Sequence, residues 1–183
     1  MRTEVRLAGF GGQGIIRAGL MLAMASSIYD NKNAVQTQSY GPESRGGSCK
    51  SEVVISDEEV DYPRVVEPDV LVTMSQEAFT TYAKTLKPGG TLLLDPDMVP
   101  RHDFNNSARI FKVPSTKIAE ELGKTIVANV VMLGALFGTE QMPISIETVK
   151  AIIQERFPAK VATINIKAFD LGYKLAKKML VST

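Results

Sequence analysis

The sequence has only one cysteine and one histidine. A single thiol excludes an internal disulfide, and it is too few to hold an iron–sulfur cluster or a structural zinc ion. Cys49 lies in a predicted strand, where packing is a commoner role for such a residue than nucleophilic catalysis. His102 stands in a polar stretch without a cysteine or histidine beside it, which favours a surface loop. Any metal used together with this chain is therefore expected on other polypeptides.

The sequence also lacks long runs of charged or apolar residues. There are 21 basic and 20 acidic side chains, and no basic run extends beyond Lys177-Lys178, so nothing indicates a surface for nucleic acid. No apolar run approaches the roughly 20 residues of a membrane span, and the first residues do not form a secretory signal. We expect a cytoplasmic protein that binds neither nucleic acid nor membrane.

What is present is typical of a globular domain. Hydrophobic residues make up 44% and charged residues 22% of the 183 positions. This length is enough for one substantial core, whereas two independent cores would be cramped. We therefore predict a single domain over residues 1–183.

The most informative motif is Gly9-Phe10-Gly11-Gly12-Gln13-Gly14. It separates an apolar run at residues 5–8, predicted to be a buried strand, from a helical pattern that begins at residue 15. Glycines allow a sharp turn and a close approach of the backbone to a bound group. The unpaired N–H groups at the start of the helix then form a site suited to an anion.

The glycine spacing also matches the fingerprint of dinucleotide-binding proteins. That fingerprint requires an acidic residue about 20 positions further on, which binds the ribose hydroxyl groups. The predicted second strand, residues 34–38, ends in Gln38-Ser39-Tyr40, and Glu43 lies in the loop beyond it. Three interpretations remain: a tight turn without a ligand, a site for NAD, and a site for the phosphate or carboxylate of another ligand.

A second glycine-rich stretch follows the second strand. Gly41-Pro42 and Gly46-Gly47 exclude a helix there and predict a shaped loop that presents Tyr40, Glu43 and Arg45 outward. The next strand, residues 48–55, is too close in sequence for a parallel crossover, so we expect it to lie antiparallel beside the second strand. The loop is longer than a hairpin needs, which favours a functional role.

The remaining pattern predicts an α/β fold. A mostly parallel sheet with one antiparallel strand, helices on both faces and helices gathered in the last third accounts for the order of the elements. Ligands of such sheets bind beyond the carboxyl ends of the strands, where both glycine-rich loops are predicted. Further strands are predicted at residues 69–74, 91–95 and 109–113, and further helices at residues 78–86, 117–122, 126–137, 145–157 and 162–180.

Two details of the last third concern polar residues. Asn129 stands alone in the apolar helix at residues 126–137, so its amide needs partners, either in a structural hydrogen bond to a loop or in a ligand. Gly123-Lys124-Thr125 ends like a phosphate-binding loop, but the required earlier glycine is Ile118, so we reject that interpretation.

Together, the glycine motif and Ser39-Tyr40-Gly41-Pro42-Glu43-Ser44-Arg45-Gly46-Gly47 resemble the gamma subunit family of 2-oxoacid:ferredoxin oxidoreductases. The likeness extends over nearly the whole chain, through residues 51–56, 69–72, 86–90 and 129–135. Residues 37–43 and 55–63 look most like the 2-oxoglutarate branch.

The resemblance implies a Rossmann-like three-layer sandwich that works as one subunit beside alpha, beta and delta subunits. Such a complex decarboxylates a 2-oxoacid, transfers the acyl group to coenzyme A and reduces ferredoxin or a similar acceptor. Thiamine diphosphate with Mg²⁺ lies between the alpha and beta subunits, and the iron–sulfur cluster belongs to other polypeptides. This chain would hold no cofactor alone and would supply no catalytic acid or base.

The resemblance also implies which residues form the site. Gly11, Gly12, Gln13 and Gly14 would line the turn toward the coenzyme or a partner loop. The expected subunit interface or coenzyme A side consists of Ser39, Tyr40, Gly41, Pro42, Glu43, Arg45, Gly46, Gly47 and Asn129. Among these, Arg45 is the strongest candidate for docking, because its planar fork binds a carboxylate or phosphate at two places.

Two other classes of function stay open from the sequence. One is a free-standing Rossmann-like oxidoreductase that binds NAD or a flavin, against which the missing ribose acid counts. The other is a scaffolding subunit whose glycine turn binds nothing. On the subunit interpretation, the isolated chain is expected to expose a partly apolar face, which would allow it to form a homodimer.

We predict that Arg45→Ala impairs assembly or the use of coenzyme A while the chain itself stays folded. The reason is that Arg45 is expected to act across the interface and not in the core. Co-purification of the partner subunits and steady-state turnover measure the loss, and circular dichroism checks the fold. Unchanged assembly and turnover would remove this role from Arg45.

Overall fold

The computed structural model describes residues 1–40, 47–104 and 107–181. Its six strands are β1 (Arg2–Phe10), β2 (Asn33–Tyr40), β3 (Ser48–Ser56), β4 (Val70–Thr73), β5 (Thr91–Leu94) and β6 (Arg109–Lys112). Its six α-helices are α1 (Ile15–Ile28), α2 (Gln76–Tyr82), α3 (Ser115–Glu121), α4 (Ala128–Gly138), α5 (Ile146–Arg156) and α6 (Ala159–Val181). Short 3₁₀ turns, Ala83–Thr85 and Thr125–Val127, follow α2 and precede α4. Within these ranges, none of the helices is long and apolar enough to span a membrane.

All six strands form one sheet in the order β2-β3-β1-β4-β5-β6. β1 pairs in parallel with β4, which continues in parallel to β5 and β6, whereas β3 is antiparallel to both β1 and β2. The predicted α/β fold, with a mostly parallel sheet and an antiparallel strand, is therefore confirmed. The sequence did not indicate that β3 would also pair with β1 and so lie inside the sheet.

Each face of the sheet is covered by helices. One face packs against α1 and α4, which together with α5 and α6 form the larger apolar cluster, and this cluster includes Leu7, Val72 and the fully buried Phe169. The other face packs against α2 in a smaller cluster that contains Leu71 and Phe79. The alternation of Leu71 and Val72 between the two clusters reflects the two-residue period of a strand buried on both sides.

A buried ion pair lies under the α2 side of the sheet. Arg6 Nε donates to Glu52 Oε1 at 2.6 Å, and both side chains are almost fully buried. The other guanidinium nitrogens donate to the carbonyl of Val65 and the hydroxyl of Thr85, at 2.6 and 2.5 Å. Because each guanidinium nitrogen of Arg6 has an acceptor, the buried charge is tolerated. These hydrogen bonds join β1 and β3 to the segments that cover them.

The ends of several elements differ from the sequence-based prediction by a few residues. α2 begins at Gln76 because Ser75 caps it, its hydroxyl accepting from the N–H of Ala78 at 3.1 Å, and it ends in the 3₁₀ turn. α6 begins at Ala159 and not at residue 162, because the carbonyl of Pro158 accepts from the N–H groups of Val161 and Ala162. Proline is tolerated at this position, since the N–H group that it lacks would have no acceptor within the helix.

α4 and α6 pack closely because glycines lie where they cross. A Cβ on Gly134 would be 2.0 Å from the carbonyl oxygen of Phe169, and a Cβ on Gly172 would be 1.9 Å from that of Val131. No side chain fits at either contact, so the backbones of the two helices touch directly. This places the first turns of α4 and α6 side by side near α1.

We predict that Gly134→Ala destabilises the chain by roughly 1–3 kcal/mol, because the new methyl group overpacks the crossing. The effect should outweigh the gain of about 1 kcal/mol that alanine brings to a helix interior. Urea unfolding of the purified chain measures the difference. Lys174→Ala, on the exposed side of α6, is the matched control and should change the free energy of unfolding by less than about 0.5 kcal/mol. A stable Gly134→Ala variant would contradict the close packing.

Candidate functional site

The site begins at the turn between β1 and α1. Gly12 and Gly14 adopt positive φ angles of 98° and 75°, a region that side chains with a Cβ rarely enter. Gly14 occupies the N-cap position of α1. The two left-handed residues let the chain leave the end of a buried strand and enter a helix at once.

The side chain of Gln13 fastens this turn. Its Oε1 accepts from the N–H of Phe10 at 2.7 Å, and its Nε2 donates to the carbonyl of Met74, also at 2.7 Å. Met74 directly follows β4, so one amide joins the turn to the carboxyl ends of two neighbouring strands. The structure thus gives Gln13 an internal role, whereas its proposed contact with a coenzyme or partner loop stays a prediction.

The second glycine-rich loop reaches the same edge of the sheet. The N–H of Gly11 donates to the carbonyl of Gly47 at 2.9 Å, and Tyr40 pairs with Cys49 in the ladder of β2 and β3. Ser39 and Tyr40 are exposed, Tyr40 by 63%. The glycine turn therefore contacts the end of the second loop at Gly47. This agrees with the prediction that both loops lie beyond the carboxyl ends of the strands. Gly41, Pro42, Glu43, Arg45 and Gly46 lie outside the described residues.

The first turn of α1 presents free backbone donors. Among the described residues, no atom accepts a hydrogen bond from the N–H groups of Ile15 and Ile16. The N-terminus of the helix also carries the positive end of the helix dipole. This turn therefore offers both the donors and the field that favour an anion.

Asn129, in the first turn of α4, lies directly against Gly14. Its Nδ2 donates to the carbonyl oxygen of Gly14 at 3.0 Å, and the residue is only 4% exposed. A Cβ on Gly14 would be 2.4 Å from that Nδ2. The predicted structural hydrogen bond to a loop is present, and it uses the NH₂ group of the amide. Asn129 Oδ1 is buried and has no partner in the described parts of the chain.

These groups border a cavity of about 970 Å³ between the glycine turn, α1, and the first turns of α4 and α6. Most of its wall is apolar, with three cationic residues, Arg17, Lys124 and Lys160, along its border. All three are exposed, and none forms an ion pair with a described carboxylate. No acidic side chain from the described ranges lines the cavity. The arrangement suits a ligand that has an apolar part and a negatively charged part.

Sequence reasoning missed the cations and the apolar rim. Ile126 was predicted to belong to a helix buried on most sides, but it lies in the 3₁₀ turn before α4 and is 56% exposed. Leu20 and Val161, on α1 and α6, are 45% and 41% exposed at the same cavity. The sequence signal that could have indicated the cations is Gly123-Lys124-Thr125. This segment forms no phosphate-binding loop, but its lysine borders the cavity.

Cys49 is a buried wall residue of the cavity, in keeping with the predicted packing role. Burial raises the pKa of its thiol, so little of the reactive thiolate exists near neutral pH. In the part of the chain that the structure describes, no three His, Cys, Asp or Glu side chains lie together in a way that could hold a metal ion. The His102 ring makes a local hydrogen bond in which Nδ1 donates to the carbonyl of Val99 at 2.7 Å.

Comparison with known proteins gives consistent matches over nearly the whole chain. Residues 4–175 match the family model described as pyruvate ferredoxin/flavodoxin oxidoreductase. The chain is 49% identical to the 2-oxoglutarate synthase subunit KorC of Methanocaldococcus jannaschii, over 98% of this chain and 96% of that protein.

Two solved structures share the fold. The gamma subunit of a keto/oxoacid ferredoxin oxidoreductase from Geobacter sulfurreducens is 41% identical, with a TM-score of 0.82 over 96% of this chain and 99% of that chain. The 2-oxoglutarate:ferredoxin oxidoreductase of Magnetococcus marinus, solved with 2-oxoglutarate, coenzyme A and succinyl-CoA bound, is 28% identical, with a TM-score of 0.84. That match covers 97% of this chain but 31% of the longer one.

We predict that Gly14→Ala lowers the free energy of unfolding by at least about 2 kcal/mol. Roughly 1–2 kcal/mol comes from the left-handed backbone and a further 1–3 kcal/mol from the clash with Asn129. In an Asn129→Ala background the clash is absent, so the same substitution should cost only about 1–2 kcal/mol. A double-mutant cycle by urea unfolding measures this coupling, and equal costs in both backgrounds would contradict the contact.

Proposed function

The chain belongs to the pyruvate ferredoxin/flavodoxin oxidoreductase family, and on that premise we propose that it is the gamma subunit of a 2-oxoglutarate:acceptor oxidoreductase. The assembled enzyme would decarboxylate 2-oxoglutarate, form succinyl-CoA, and pass two electrons to ferredoxin or a similar acceptor. This chain would pack against the thiamine-binding subunits and form part of the coenzyme A side of the site.

The choice of 2-oxoglutarate is supported by the similarity to KorC. The identity of 49% extends over almost the full length of both chains, so the two are alike in size as well as in sequence. We propose one domain here, over residues 1–183. A subunit of this size needs partners that hold the reacting groups, which we infer to be alpha, beta and delta subunits.

The observation that carries the coenzyme A role is the acid-free cavity beside the start of α1. Ile15 and Ile16, whose N–H groups have no described acceptor, line this cavity with three cations that form no ion pair, Arg17, Lys124 and Lys160. Coenzyme A carries several phosphate charges on a long, partly apolar arm, and this combination fits the cavity. The glycine turn, Gly11 to Gly14, would lie against the ligand, and the second loop with Tyr40, Glu43 and Arg45 would contact the thiamine-binding subunits.

The residues of this chain support a division of labour in the complex. Its one buried thiol and the lack of a metal-binding group in the described ranges give it nothing that fits a cluster. We infer that thiamine diphosphate with Mg²⁺ and the iron–sulfur cluster are held by the partners. Thiamine diphosphate, where it is bound, supplies the carbanion chemistry that decarboxylation requires. The residues of this chain bind and orient coenzyme A and exclude water from one side.

We expect that tagged chain, purified from its native host, brings down thiamine-binding and cluster-binding polypeptides. The preparation should oxidise 2-oxoglutarate with a low-potential acceptor dye only when coenzyme A is present. Parallel assays with pyruvate and a branched 2-oxoacid control for the choice of substrate.

Each other result has a distinct meaning. A preparation active only on another 2-oxoacid would overturn the substrate and keep the subunit role. A chain that purifies alone and binds NAD or a flavin saturably would overturn the subunit role in favour of a free-standing oxidoreductase. Partners that retain full coenzyme A-dependent turnover after this chain is removed would leave it a scaffold.

A further inference from the structure

Strand β2 forms one edge of the sheet, and it is long, regular and uncharged. Its eight residues pair one to one with β3 along the whole strand, and they include neither a charged residue nor a proline. The opposite edge, β6, has only four residues and carries Arg109 and Lys112. Proteins protect an exposed edge with charges, proline, a bulge or a short strand, because a bare edge pairs with another strand. By these criteria β6 is protected and β2 is not.

The hydrogen bonds between β1 and β3 show which residues of β2 point outward. The N–H of Gly11 donates to the carbonyl of Gly47 at one end of this antiparallel ladder. At the other end, the N–H of Asp57 donates to the carbonyl of Met1. Because bonded and non-bonded pairs alternate along such a ladder, the odd-numbered residues of β3 point toward β1 and the even-numbered ones toward β2.

The register between β2 and β3 then assigns the outer edge. The even-numbered residues of β3 lie opposite the odd-numbered residues of β2, so the even-numbered residues of β2 turn their backbone groups away from the sheet. These outward residues are Ala34, Gln36, Gln38 and Tyr40. Among the described residues, none pairs with their N–H and carbonyl groups.

Only one antiparallel register lets the four outward residues of two copies pair exclusively with one another. Ala34 of one copy then lies opposite Tyr40 of the second copy, and Gln36 lies opposite Gln38. Each of these pairs exchanges two backbone hydrogen bonds, so every outward N–H and carbonyl of the strand is satisfied. The two-fold axis of the pair passes between the two Thr37 residues, which face each other.

The side chains of the strand also fit this register. Tyr40 is 63% exposed, and the small Ala34 of the second copy leaves room for its ring. Gln36 Nε2 donates to Ser51 Oγ at 2.8 Å, so the Gln36 carbonyl oxygen is the part of that amide left to accept from Gln38 of the second copy. A strand without charges also meets its own copy without repulsion. The edge is therefore self-complementary, which favours a second copy as its partner.

We propose that β2 is a self-association edge, on which two copies of this chain join their sheets through antiparallel β2 strands about a two-fold axis at Thr37. The two six-stranded sheets then form one continuous sheet. Both α1 helices lie on the same face of it, since α1 packs on β2 and β3. The contact uses the backbone of the sheet edge, and it holds for any coenzyme or 2-oxoacid that the enzyme uses.

A cysteine on the two-fold axis tests the contact and its register together. In a non-hydrogen-bonded antiparallel pair, the two Cα atoms are about 4.5 Å apart, a distance that a disulfide can bridge. Under mild oxidation, Thr37→Cys should therefore form a disulfide-linked dimer, both in the purified full chain and in the assembled enzyme. Non-reducing electrophoresis measures the cross-linked fraction.

Val35→Cys is the matched control, because Val35 lies two residues from Thr37 on the same strand and the same face. In the proposed register, its two copies are four residues apart along the strands, which is roughly 13 Å and too far for a disulfide. This variant should stay unlinked. The wild-type chain should also stay unlinked, since its only cysteine is buried.

A proline at each edge of the sheet tests the backbone hydrogen bonds. Gln38→Pro removes an outward N–H, so the fold should stay intact while the dimer loses one bond from each copy. We expect the Kd of self-association to rise at least about 10-fold, as measured by sedimentation velocity over a range of concentrations.

Lys112→Pro is the control on the opposite edge. The N–H groups of Arg109 and Val113 donate to the carbonyls of Gly90 and Leu94, so the N–H of Lys112 points away from the sheet. Its removal should leave the Kd of self-association unchanged, and circular dichroism checks that both proline variants are folded.

The outcomes decide the inference without reference to turnover. A chain that stays monomeric at every concentration, or equal cross-linking of Thr37→Cys and Val35→Cys, would overturn it. An unchanged Kd in folded Gln38→Pro would do the same. Cross-linking in the isolated chain but not in the assembled enzyme would show that a partner subunit covers β2, and this result would also overturn the inference.

Discussion

The hydrogen bonds of Gln13 hold together the part of the molecule on which the site depends. One side-chain amide accepts from the end of β1 and donates to the residue after β4. It thereby fixes a turn that contains two left-handed glycines and that would otherwise be free to adopt many conformations. With the turn fixed, α1 must start where it does, and its first residues line the cavity. The second glycine-rich loop joins the same edge through the contact between Gly11 and Gly47.

The polar groups around this edge fall into two kinds. Those that build the scaffold are satisfied, as in Gln13 or in the buried pair of Arg6 and Glu52, where each guanidinium nitrogen has an acceptor. Those that border the cavity are not paired in this way: the first N–H groups of α1 have no described acceptor, and three cations form no ion pair with a described carboxylate. Cations and free backbone donors gathered beside an apolar cavity are best explained by an anionic ligand that they bind.

Much of the fold followed from sequence because its signals are local. The glycine spacing specifies a turn, and the Ser75 cap specifies the start of a helix. The short link into β3 specifies an antiparallel pair, because it is too short for a parallel crossover. The position of β3 between β2 and β1 depends on pairing between distant strands, which no local pattern encodes. The cavity was harder still, because Arg17, Lys124 and Lys160 come from three separate segments. Ile126 shows the same limit, since an apolar residue in an apolar run gives no sign that its neighbours leave it exposed.

Amide hydrogen exchange in the assembled enzyme, with and without coenzyme A, tests the central claim most directly. The account predicts that coenzyme A slows exchange in peptides that cover the first turns of α1 and α4, because the ligand occupies the cavity that these turns line. Peptides from α2 and β6, which lie elsewhere, should exchange at the same rate in both samples. Exchange at α1 and α4 that slowed on assembly but did not change when coenzyme A was added would contradict the account. The cavity would then be a surface for a partner subunit.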